Sequence, residues 1–285
     1  MNYPDDPRLA PLIRAALDED LGSGDHTTRS TIPTGLHAQA HCRIKDQGVL
    51  AGVALAAQVF AAVDPGLHMD VHLPDGSRVT PGDIAFTVIG DPRSILSAER
   101  VVLNFMQRMS GIATLTRQVV DRLEGLPCRL LDTRKTSPLL RLVERWAVHI
   151  GGGTNHRYGL YDMVMIKDNH IDYAGSISAA VLACRRYLAA EGLALRIEVE
   201  TRTLDEVQEA LDTGSVDRIM LDNMPLDMLR AAVTRIAGRC ETEASGGITL
   251  DTVRAIAETG VDFVSMGALT HSARSLDISL KAVRR

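Results

Sequence analysis

Residues 195–222 read LRIEVETRTLDEVQEALDTGSVDRIMLD, and this stretch contains the local pattern that decides the fold. Two strand-like runs, at 195–200 and 217–222, flank the segment TLDEVQEAL, whose apolar residues recur at a helical period. Thr203 and Glu206 have the spacing of a capping box, which predicts where the helix begins. Short connections of this kind favour parallel strands that are joined by right-handed crossovers.

The same order of strand, loop and helix repeats beyond Gly111. A closed β/α barrel and an open doubly wound sheet both satisfy this alternation, but no Gly-x-Gly-x-x-Gly turn follows the first strand to support a dinucleotide-binding fold. We therefore predict an α/β protein with a β/α barrel. The six predicted strands are CRLLDT (128–133), DMVMIK (162–167), LRIEVE (195–200), DRIMLD (217–222), CETEAS (240–245) and DFVSMG (262–267).

The part of the chain before this repeat mixes strands and helices in a different order. An amphipathic helical pattern covers Leu9 to Leu17, and a second helical pattern runs from Arg93 toward Gly111. We expect HMDVHL to turn through the segment PDG into SRV as a hairpin. The other elements expected here are the strands HAQAHCRIK and DIAFTVIG and the helix ALAAQVFAAV.

Composition and charge exclude several classes of protein. Of the 285 residues 45% are hydrophobic, and no apolar run approaches the roughly 18 residues that a membrane span needs, so we expect a soluble globular protein. The net charge of -5 is not gathered into long blocks, which argues against nucleic acid or a membrane as a partner. The start lacks the features of a signal peptide, so a cytoplasmic location is expected. The four cysteines form no Cys-x-x-Cys pair, which favours buried thiols over a zinc site.

Cationic side chains cluster at the carboxyl ends of the predicted strands, where β/α barrels carry their active sites. Arginine binds a planar carboxylate with two parallel hydrogen bonds, and lysine supplies a movable point charge. Such a set predicts a pocket for a multiply charged anion, with ordinary solvated charges as the alternative. For His170, a core histidine with satisfied hydrogen bonds is a reasonable interpretation. The set consists of Arg134, Lys135, His156, Arg157 and Lys167.

Carboxylates and glycines complete the same predicted edge. Glu200 and Asp222 end neighbouring strands, where they would bind metal, hydrogen-bond ribose hydroxyls, stabilise a sugar-like cation or serve only as salt-bridge partners. The alternation of Glu198 and Glu200 predicts that both side chains point into the barrel. The last two strands end in SGGIT and GALTHS, and glycines before a helix start are typical of phosphate sites in barrels.

Eight segments in register closely resemble the quinolinate phosphoribosyltransferase family, and the likeness spans nearly the whole chain. The resemblance implies an N-terminal α/β sandwich (1–112), to which 273–285 return, and an incomplete, TIM-like barrel (113–272). It also implies that quinolinate and 5-phosphoribosyl 1-pyrophosphate (PRPP) react with Mg²⁺ to give nicotinate mononucleotide, pyrophosphate and carbon dioxide in NAD biosynthesis. The segments are LSAERVVLNFMQRMSGIAT, DTRKTSP, GGGTNHRYGL, MIKDNHI, IEVE, IMLDN, SGGIT and VSMGALTHS.

The resemblance assigns quinolinate to the cationic set. Arg134, His156, Arg157 and Lys167 would hold its two carboxylates, while Lys135 would serve the pyrophosphate side. Thr133 would contribute through its position beside Arg134.

The resemblance assigns PRPP to the opposite side of the pocket. Glu200 and Asp222 would face the ribose and its Mg²⁺, and with Lys135 they are the expected catalytic residues. The family works as a homodimer or as a dimer-based hexamer, in which Arg100 would reach the neighbouring subunit's pocket. The 5-phosphate would be cradled by Ser245, Gly246, Gly247, Gly267 and Ala268.

Two departures from the family pattern stand out. The family commonly has Pro-Gly-Leu-Arg after its RKT motif, where this chain has PLLR, and it has Lys-Tyr in place of Arg145 and Trp146. A sister group linked to molybdenum transport shares several motifs, although the intact KDNH favours quinolinate. A barrel aldolase with Lys167 as a Schiff-base nucleophile and a non-catalytic anion-binding module are the remaining alternatives.

Overall fold

The structure is a computed structural model that describes residues 3–283. The chain forms two compact units. The first unit contains the described residues up to Arg117, Thr136–Gly152 and the described residues from Ala268 onward, and the second contains Gln118–Lys135 and Gly153–Gly267. The domain boundaries expected from the sequence, 1–112 with 273–285 and 113–272, stay a prediction.

The helices and strands are named here in chain order. The helices are α1 (Leu9–Leu21), α2 (His26–Thr31), α3 (Val53–Val63), α4 (Pro92–Arg122), α5 (Arg141–Ile150), α6 (Asp168–Ala174), α7 (Ile177–Ala190), α8 (Leu204–Asp212), α9 (Leu226–Ile236), α10 (Val253–Ala257) and α11 (Ala268–His271). The strands are β1 (Ala38–Ile44), β2 (Gly48–Val49), β3 (His68–Val71), β4 (Arg78–Val79), β5 (Ile84–Gly90), β6 (Arg129–Leu131), β7 (Val164–Ile166), β8 (Ile197–Thr201), β9 (Arg218–Asp222), β10 (Glu241–Ser245), β11 (Phe263–Ser265) and β12 (Ile278–Ala282).

The first unit is built on a four-stranded antiparallel sheet with the strand order β12-β1-β5-β3. Cys42 lies at the centre of β1, opposite Phe86 on one side and Leu280 on the other, and all three side chains are buried. The ring of Phe60, on the helix α3, packs edge-on against Phe86 at 5.9 Å between centroids. The predicted strands HAQAHCRIK and DIAFTVIG and the predicted helices of this part of the chain are confirmed.

The predicted hairpin between β3 and β4 is wrong. The strand β3 pairs with β5, whereas β4 pairs with β2. The reason lies in the turn PDG, because the Asp75 carboxylate accepts hydrogen bonds from the backbone N–H groups of Val53 and Ala54 at the start of α3. The backbone N–H of Gly76 donates to Leu50 O at 2.8 Å, which directs the chain toward β2.

The long helix α4 does not end near Gly111, where the sequence pattern changes, but continues to Arg122. A side chain at position 111 would place its Cβ 2.0 Å from the carbonyl oxygen of Arg274. Gly111 therefore permits a close approach between two backbones within the first unit and does not break the helix.

The second unit contains the predicted six parallel strands, in the order β6-β11-β10-β9-β8-β7. The strands β6 and β7 are not paired with each other, but Thr154 in the loop before β7 forms a parallel bridge with Leu131 in β6. The sheet is therefore an incomplete barrel, in which a loop residue pairs with β6 where a closed barrel would have β7 paired with β6. The parallel α/β fold and the capping of α8 by Thr203, whose side chain accepts from Glu206 N–H, are confirmed.

The helix α6 was not predicted, because its seven residues are too few for a helical period to show. His170 is exposed, and its Nδ1 accepts the backbone N–H of Lys167 at 2.9 Å. The interpretation of His170 as a core histidine is therefore wrong, since this side chain caps the first turn of α6.

The two departures from the family pattern have separate structural settings. Leu139 has a φ of 66° and its side chain is 90% exposed. A left-handed backbone costs a leucine about 1–2 kcal/mol and costs a glycine almost nothing. Arg145 and Trp146 are both buried on α5, where the Trp146 ring stacks on Tyr3 with 5.8 Å between centroids.

Leu139→Gly is expected to stabilise the protein by up to about 1 kcal/mol, because the relief of backbone strain exceeds the entropy that the extra freedom of glycine adds to the unfolded chain. Urea unfolding would measure the change. Leu160→Gly is the matched control, because Leu160 is also exposed (71%) and is not among the residues with positive φ. Equal destabilisation by both substitutions would contradict strain at Leu139.

Candidate active site

One cavity of about 320 Å³ lies at the carboxyl ends of the strands of the second unit. Seven of the predicted site residues line it, and four further lining residues were not predicted. The seven are Thr133, Arg134, Lys135, His156, Arg157, Lys167 and Ser245, and the four are Met165, Met220, Glu243 and Ser265.

The loop that carries His156 and Arg157 is held against the end of β6. The buried Asp132 carboxylate accepts the side-chain amide of Asn155 at 2.6 Å and the backbone N–H of His156 at 2.7 Å. The guanidinium of Arg157 donates to the carbonyl of Met163 at 3.0 Å. These contacts hold the loop and the Arg157 side chain in place within the second unit.

Arg134 and Arg157 bring two guanidinium groups close together in a partly buried setting. Burial and the positive charge of Arg134 hold the pKa of Arg157 below its usual value. The Nε atom of Arg134 is buried and has no hydrogen-bond partner among the described residues. Two like charges in such a setting favour the binding of an anion that neutralises them.

The predicted carboxylates lie on neighbouring strands and on the same face of the sheet. Glu200 lies opposite Met220, and Asp222 follows Met220 by two residues, so the side-chain alternation places all three on one face. The Nζ of Lys167 is 3.0 Å from Oε2 of Glu200, and the Glu200 side chain is 11% exposed. This ion pair connects the cationic side of the cavity with the carboxylate side.

The remaining predicted site residues fall into two groups. Gly246 and Gly247 follow β10 with φ values of 94° and 60°, and Ser245 lies opposite Asp222 in the sheet. Gly267 belongs to the second unit, whereas Ala268 begins the four-residue helix α11 in the first unit. Arg100 is exposed on α4 and also belongs to the first unit.

A buried ionic cluster beneath the cavity was missed by the sequence reasoning. His156 Nε2 lies 3.0 Å from Glu198 and 3.2 Å from Glu243, and both carboxylates are fully buried. Arg218 Nη1 lies 3.0 Å from Glu243, and its guanidinium stacks over Phe263 at 4.1 Å. The signal that could have revealed the cluster is the alternation of Glu241 and Glu243 in the predicted strand CETEAS, which matches that of Glu198 and Glu200.

The close contacts within the cluster shift the pKa values of His156, Glu198 and Glu243. Burial opposes the charged imidazole, but hydrogen bonds with Glu198 and Glu243 outweigh it and raise the pKa of His156 to about 9. Burial and the neighbouring Glu243 raise the pKa of Glu198, whereas contacts with His156 and Arg218 lower the pKa of Glu243 against the effect of burial. Nδ1 of His156 accepts the backbone N–H of Arg157 at 2.6 Å, and only an imidazole whose single proton lies on Nε2 can form this bond. The bond therefore opposes the second proton, which the two carboxylates favour.

Two sets of side chains have the chemistry of metal ligands. His156, Glu198 and Glu243 offer three donor atoms within 4.8 Å of one another, but Arg218 already supplies the cation that these carboxylates need. Glu200 and Asp222 offer two carboxylates on one face of the sheet; neither is among the residues that line the cavity, but Glu200 forms an ion pair with Lys167, which does line it. Mg²⁺ prefers oxygen ligands and commonly takes one or two carboxylates together with substrate phosphates, so this second pair fits Mg²⁺ in its chemistry.

The fold and the cavity define an α/β protein whose incomplete β/α barrel carries a cavity lined by arginine and lysine side chains, a lining that suits a multiply charged anion. Sequence comparison matches residues 25–110 to the model of the quinolinate phosphoribosyl transferase N-terminal domain and residues 112–281 to the model of its C-terminal domain. The chain belongs to the quinolinate phosphoribosyltransferase family, as its sequence pattern predicted.

Individual relatives agree with this assignment. Quinolinate phosphoribosyltransferase [decarboxylating] 1 of Nicotiana glauca is 53% identical over 96% of this chain and 82% of its own length. The probable nicotinate-nucleotide pyrophosphorylase [carboxylating] of Bacillus subtilis is 42% identical over 96% of this chain and 93% of its own length. The solved structure of the nicotinate-nucleotide pyrophosphorylase from Francisella tularensis superposes with a TM-score of 0.92 at 36% identity and covers 99% of both chains.

Proposed function

We propose that this chain transfers the phosphoribosyl group of PRPP to quinolinate and releases pyrophosphate and carbon dioxide, with nicotinate mononucleotide as the product for NAD biosynthesis. The observation that carries the proposal is the convergence of Arg134, Arg157 and Lys167 on one cavity of about 320 Å³. Cations on different sides of a small cavity suit a ligand with two carboxylates better than a ligand with one.

In this proposal the cationic side of the cavity holds quinolinate. Arg134, Arg157 and Lys167 bind its two carboxylates, and His156 contributes from the floor of the cavity, where its proton lies between Glu198 and Glu243. Clamping both carboxylates leaves the lone pair of the pyridine nitrogen free to point toward the ribose. Lys135, which is exposed at the edge of the cavity, serves the departing pyrophosphate.

The reaction needs positioning and charge stabilisation more than proton transfer. The bond from the ribose carbon to the pyrophosphate oxygen breaks, and the pyridine nitrogen forms the new bond to that carbon. Glu200 and Asp222 face the positive charge that develops on the ribose. The ribosylated ring then accepts the electron pair of the breaking carbon–carboxylate bond, carbon dioxide leaves, and the ring carbon takes up a proton.

Glu200 and Asp222 are also the residues that would hold Mg²⁺, through water or through the oxygen atoms of PRPP. When bound, the ion supplies positive charge that offsets the charge of the leaving pyrophosphate. Ser245, Gly246 and Gly247 present backbone N–H groups to the 5-phosphate, and Gly267 and Ala268 do the same from the end of β11. Thr133 supports the position of Lys135, whose backbone N–H donates to the Thr133 hydroxyl at 3.1 Å.

The alternatives that the sequence left open are weaker. An aldolase would need Lys167 as a neutral nucleophile, but its Nζ forms an ion pair with Glu200 at 3.0 Å. A non-catalytic anion-binding module does not explain the carboxylates Glu200 and Asp222 beside the cations. Borohydride trapping and pyrophosphate release, respectively, test these two alternatives.

The decisive experiment measures pyrophosphate and carbon dioxide release from PRPP with quinolinate and with nicotinate. We expect kcat/KM to favour quinolinate by at least about 100-fold, because nicotinate leaves part of a charged pocket without its partner. With quinolinate as the substrate, we expect carbon dioxide and pyrophosphate to be released in equal amounts. Equal use of nicotinate and quinolinate, or no pyrophosphate release, would sink the proposal.

The proposal includes a homodimer, or a hexamer that is built from three dimers, in which Arg100 completes the neighbouring active site. At quinolinate concentrations below KM, Arg100→Ala and Arg157→Ala are each expected to show little activity alone, whereas their co-expression restores activity, since one site of a hybrid dimer keeps both arginines. Co-expressed Arg134→Ala and Arg157→Ala form the control, because both residues line the cavity of one chain and no hybrid site is intact. If Arg100→Ala shows no recovery in hybrids, the shared site is refuted.

Partners and location complete the proposal. The substrates are small anions, and neither nucleic acid nor a membrane is proposed as a partner. In residues 3–283, no helix has the length and the apolar character that crossing a membrane requires. We place the enzyme in the cytoplasm, a proposal that fractionation of the source cells would test.

A further inference from the structure

Asn223 follows directly on β9 and adopts a backbone conformation that few residues tolerate. Its φ is 53°, in the left-handed region, and its side chain is exposed. Asparagine tolerates this region better than most residues, although glycine tolerates it best. The conformation alone would therefore be satisfied by glycine, so the presence of an asparagine side chain needs a separate explanation.

The Asn223 side chain is engaged with the carboxylate that precedes it. Its Nδ2 donates a hydrogen bond of 2.8 Å to Oδ2 of Asp222. The backbone N–H of Asn223 donates to the carbonyl oxygen of Ser245 at 2.8 Å. One residue thus contacts both Asp222, at the end of β9, and Ser245, at the end of β10.

The turn after β10 packs against the same amide group. A Cβ at position 246 would lie 2.3 Å from Oδ1 of Asn223, so only a glycine permits the contact. Gly246 also has a φ of 94°, and Gly247 lies next to the same oxygen, with an added Cβ 3.9 Å away. The turn after Ser245 therefore packs directly against the side-chain amide of Asn223.

We propose that Asn223 is a positioning residue that aligns the Asp222 carboxylate with the turn Ser245–Gly247. This inference rests on the proposed function, in which Asp222 faces the ribose of PRPP and the turn holds its 5-phosphate. Ribose and 5-phosphate are joined by a short CH2–O link in one ligand, so an error in the relative position of their binding groups weakens both contacts. A residue that only formed a turn would not need a donor toward Asp222.

Asn223→Gly and Asn223→Asp separate the side chain from the backbone conformation. The glycine variant keeps the left-handed backbone and removes the amide, whereas the aspartate variant keeps the shape and replaces the donor with a carboxylate that repels Asp222. We expect kcat/KM for PRPP to fall roughly 10- to 100-fold in both variants, since a hydrogen bond to a charged group is lost. The dissociation constant for quinolinate, measured by calorimetry, and the melting temperature are expected to change little, because Asn223 is exposed and does not line the cavity.

Ala237→Gly provides the matched control. Ala237 also has a left-handed backbone (φ 50°), but it is the C-cap of α9 and precedes β10, so it lies where the strand begins, whereas the site lies where the strands end. Its replacement by glycine is expected to leave kcat/KM for PRPP unchanged. An equal fall in this control and in Asn223→Gly would assign the effect to the backbone and overturn the positioning role.

The possible outcomes separate the two proposals. If the wild-type chain releases pyrophosphate from PRPP and quinolinate while both Asn223 variants match its kcat/KM, the positioning role is overturned and the proposed function stands. If both variants lose affinity for quinolinate as much as for PRPP, the role is overturned as well, since the defect is then general. A wild-type chain that releases no pyrophosphate overturns the proposed function and the inference with it.

Discussion

Arg157→Ala is expected to lower kcat/KM for quinolinate by about 30- to 1,000-fold, because truncation of one partner in a desolvated charge pair costs about 2–4 kcal/mol. Arg157 is half-buried, lines the cavity and is positioned by its bond to the Met163 carbonyl. In the proposed function, its loss removes a group that binds quinolinate and leaves every group assigned to PRPP in place. Steady-state kinetics with each substrate varied in turn would show the effect mainly in the quinolinate KM.

Arg186→Ala is a suitable control for this experiment. Arg186 is an exposed arginine on α7, and its removal changes the net charge of the protein by the same amount. We expect the kinetic constants of Arg186→Ala to match those of the wild type, since salt largely screens exposed surface charges that do not line the cavity. If Arg157→Ala keeps the wild-type affinity for quinolinate, Arg157 does not bind this substrate.

Arg218→Ala is expected to reduce the free energy of unfolding by about 3–5 kcal/mol, the typical cost of breaking a buried ion pair by removing one partner. Arg218 contacts Glu243 and Glu241 and stacks over the ring of Phe263. Without the guanidinium, Glu198 and Glu243 keep only His156 as a nearby cation. Urea unfolding monitored by circular dichroism would measure the loss.

Arg254→Ala tests whether burial is the cause of this large effect. Arg254 forms an ion pair with Glu258 on the surface, and the two side chains are 50% and 48% exposed. Such surface pairs contribute about 0–1 kcal/mol, so Arg254→Ala is expected to change stability much less than Arg218→Ala. Similar losses in the two variants would show that the buried cluster has no special weight in the fold.

Much of the second unit was predictable because its strands are short, apolar and separated by amphipathic helices. In the stretch 195–222, the hydrophobic pattern predicts two strands and a helix between them, and Thr203 predicts where that helix begins. The structure has all three elements, β8, α8 and β9. The cationic residues were also predictable, because the carboxyl ends of parallel strands meet at one edge of the sheet whatever the details of packing. Seven of the residues named from the sequence line the cavity.

The errors in the first unit have a common cause. The turn residues of the segment PDG predict a hairpin between β3 and β4. In the structure Asp75 instead caps α3, and β4 pairs with β2. The sequence pattern predicts that the helix ends near Gly111, but the absence of a side chain there allows the backbone of Arg274 to approach the helix α4. In both cases a contact with a residue distant in sequence outweighed the local preference, and local patterns carry no information about such partners.

The sequence by itself determined the fold class, the six parallel strands, the family and seven of the eleven residues that line the cavity, because periodicity and motif order are local properties of the chain. Only the tertiary structure decided how Thr154 continues the sheet beside β6, how Arg218 joins His156 and two glutamates beneath the cavity, and how Asn223 meets Gly246. These contacts depend on strand register and on which side chains lie at the same height in neighbouring strands. That information arises when the sheet assembles, since a shift of one residue in register turns every side chain to the other face.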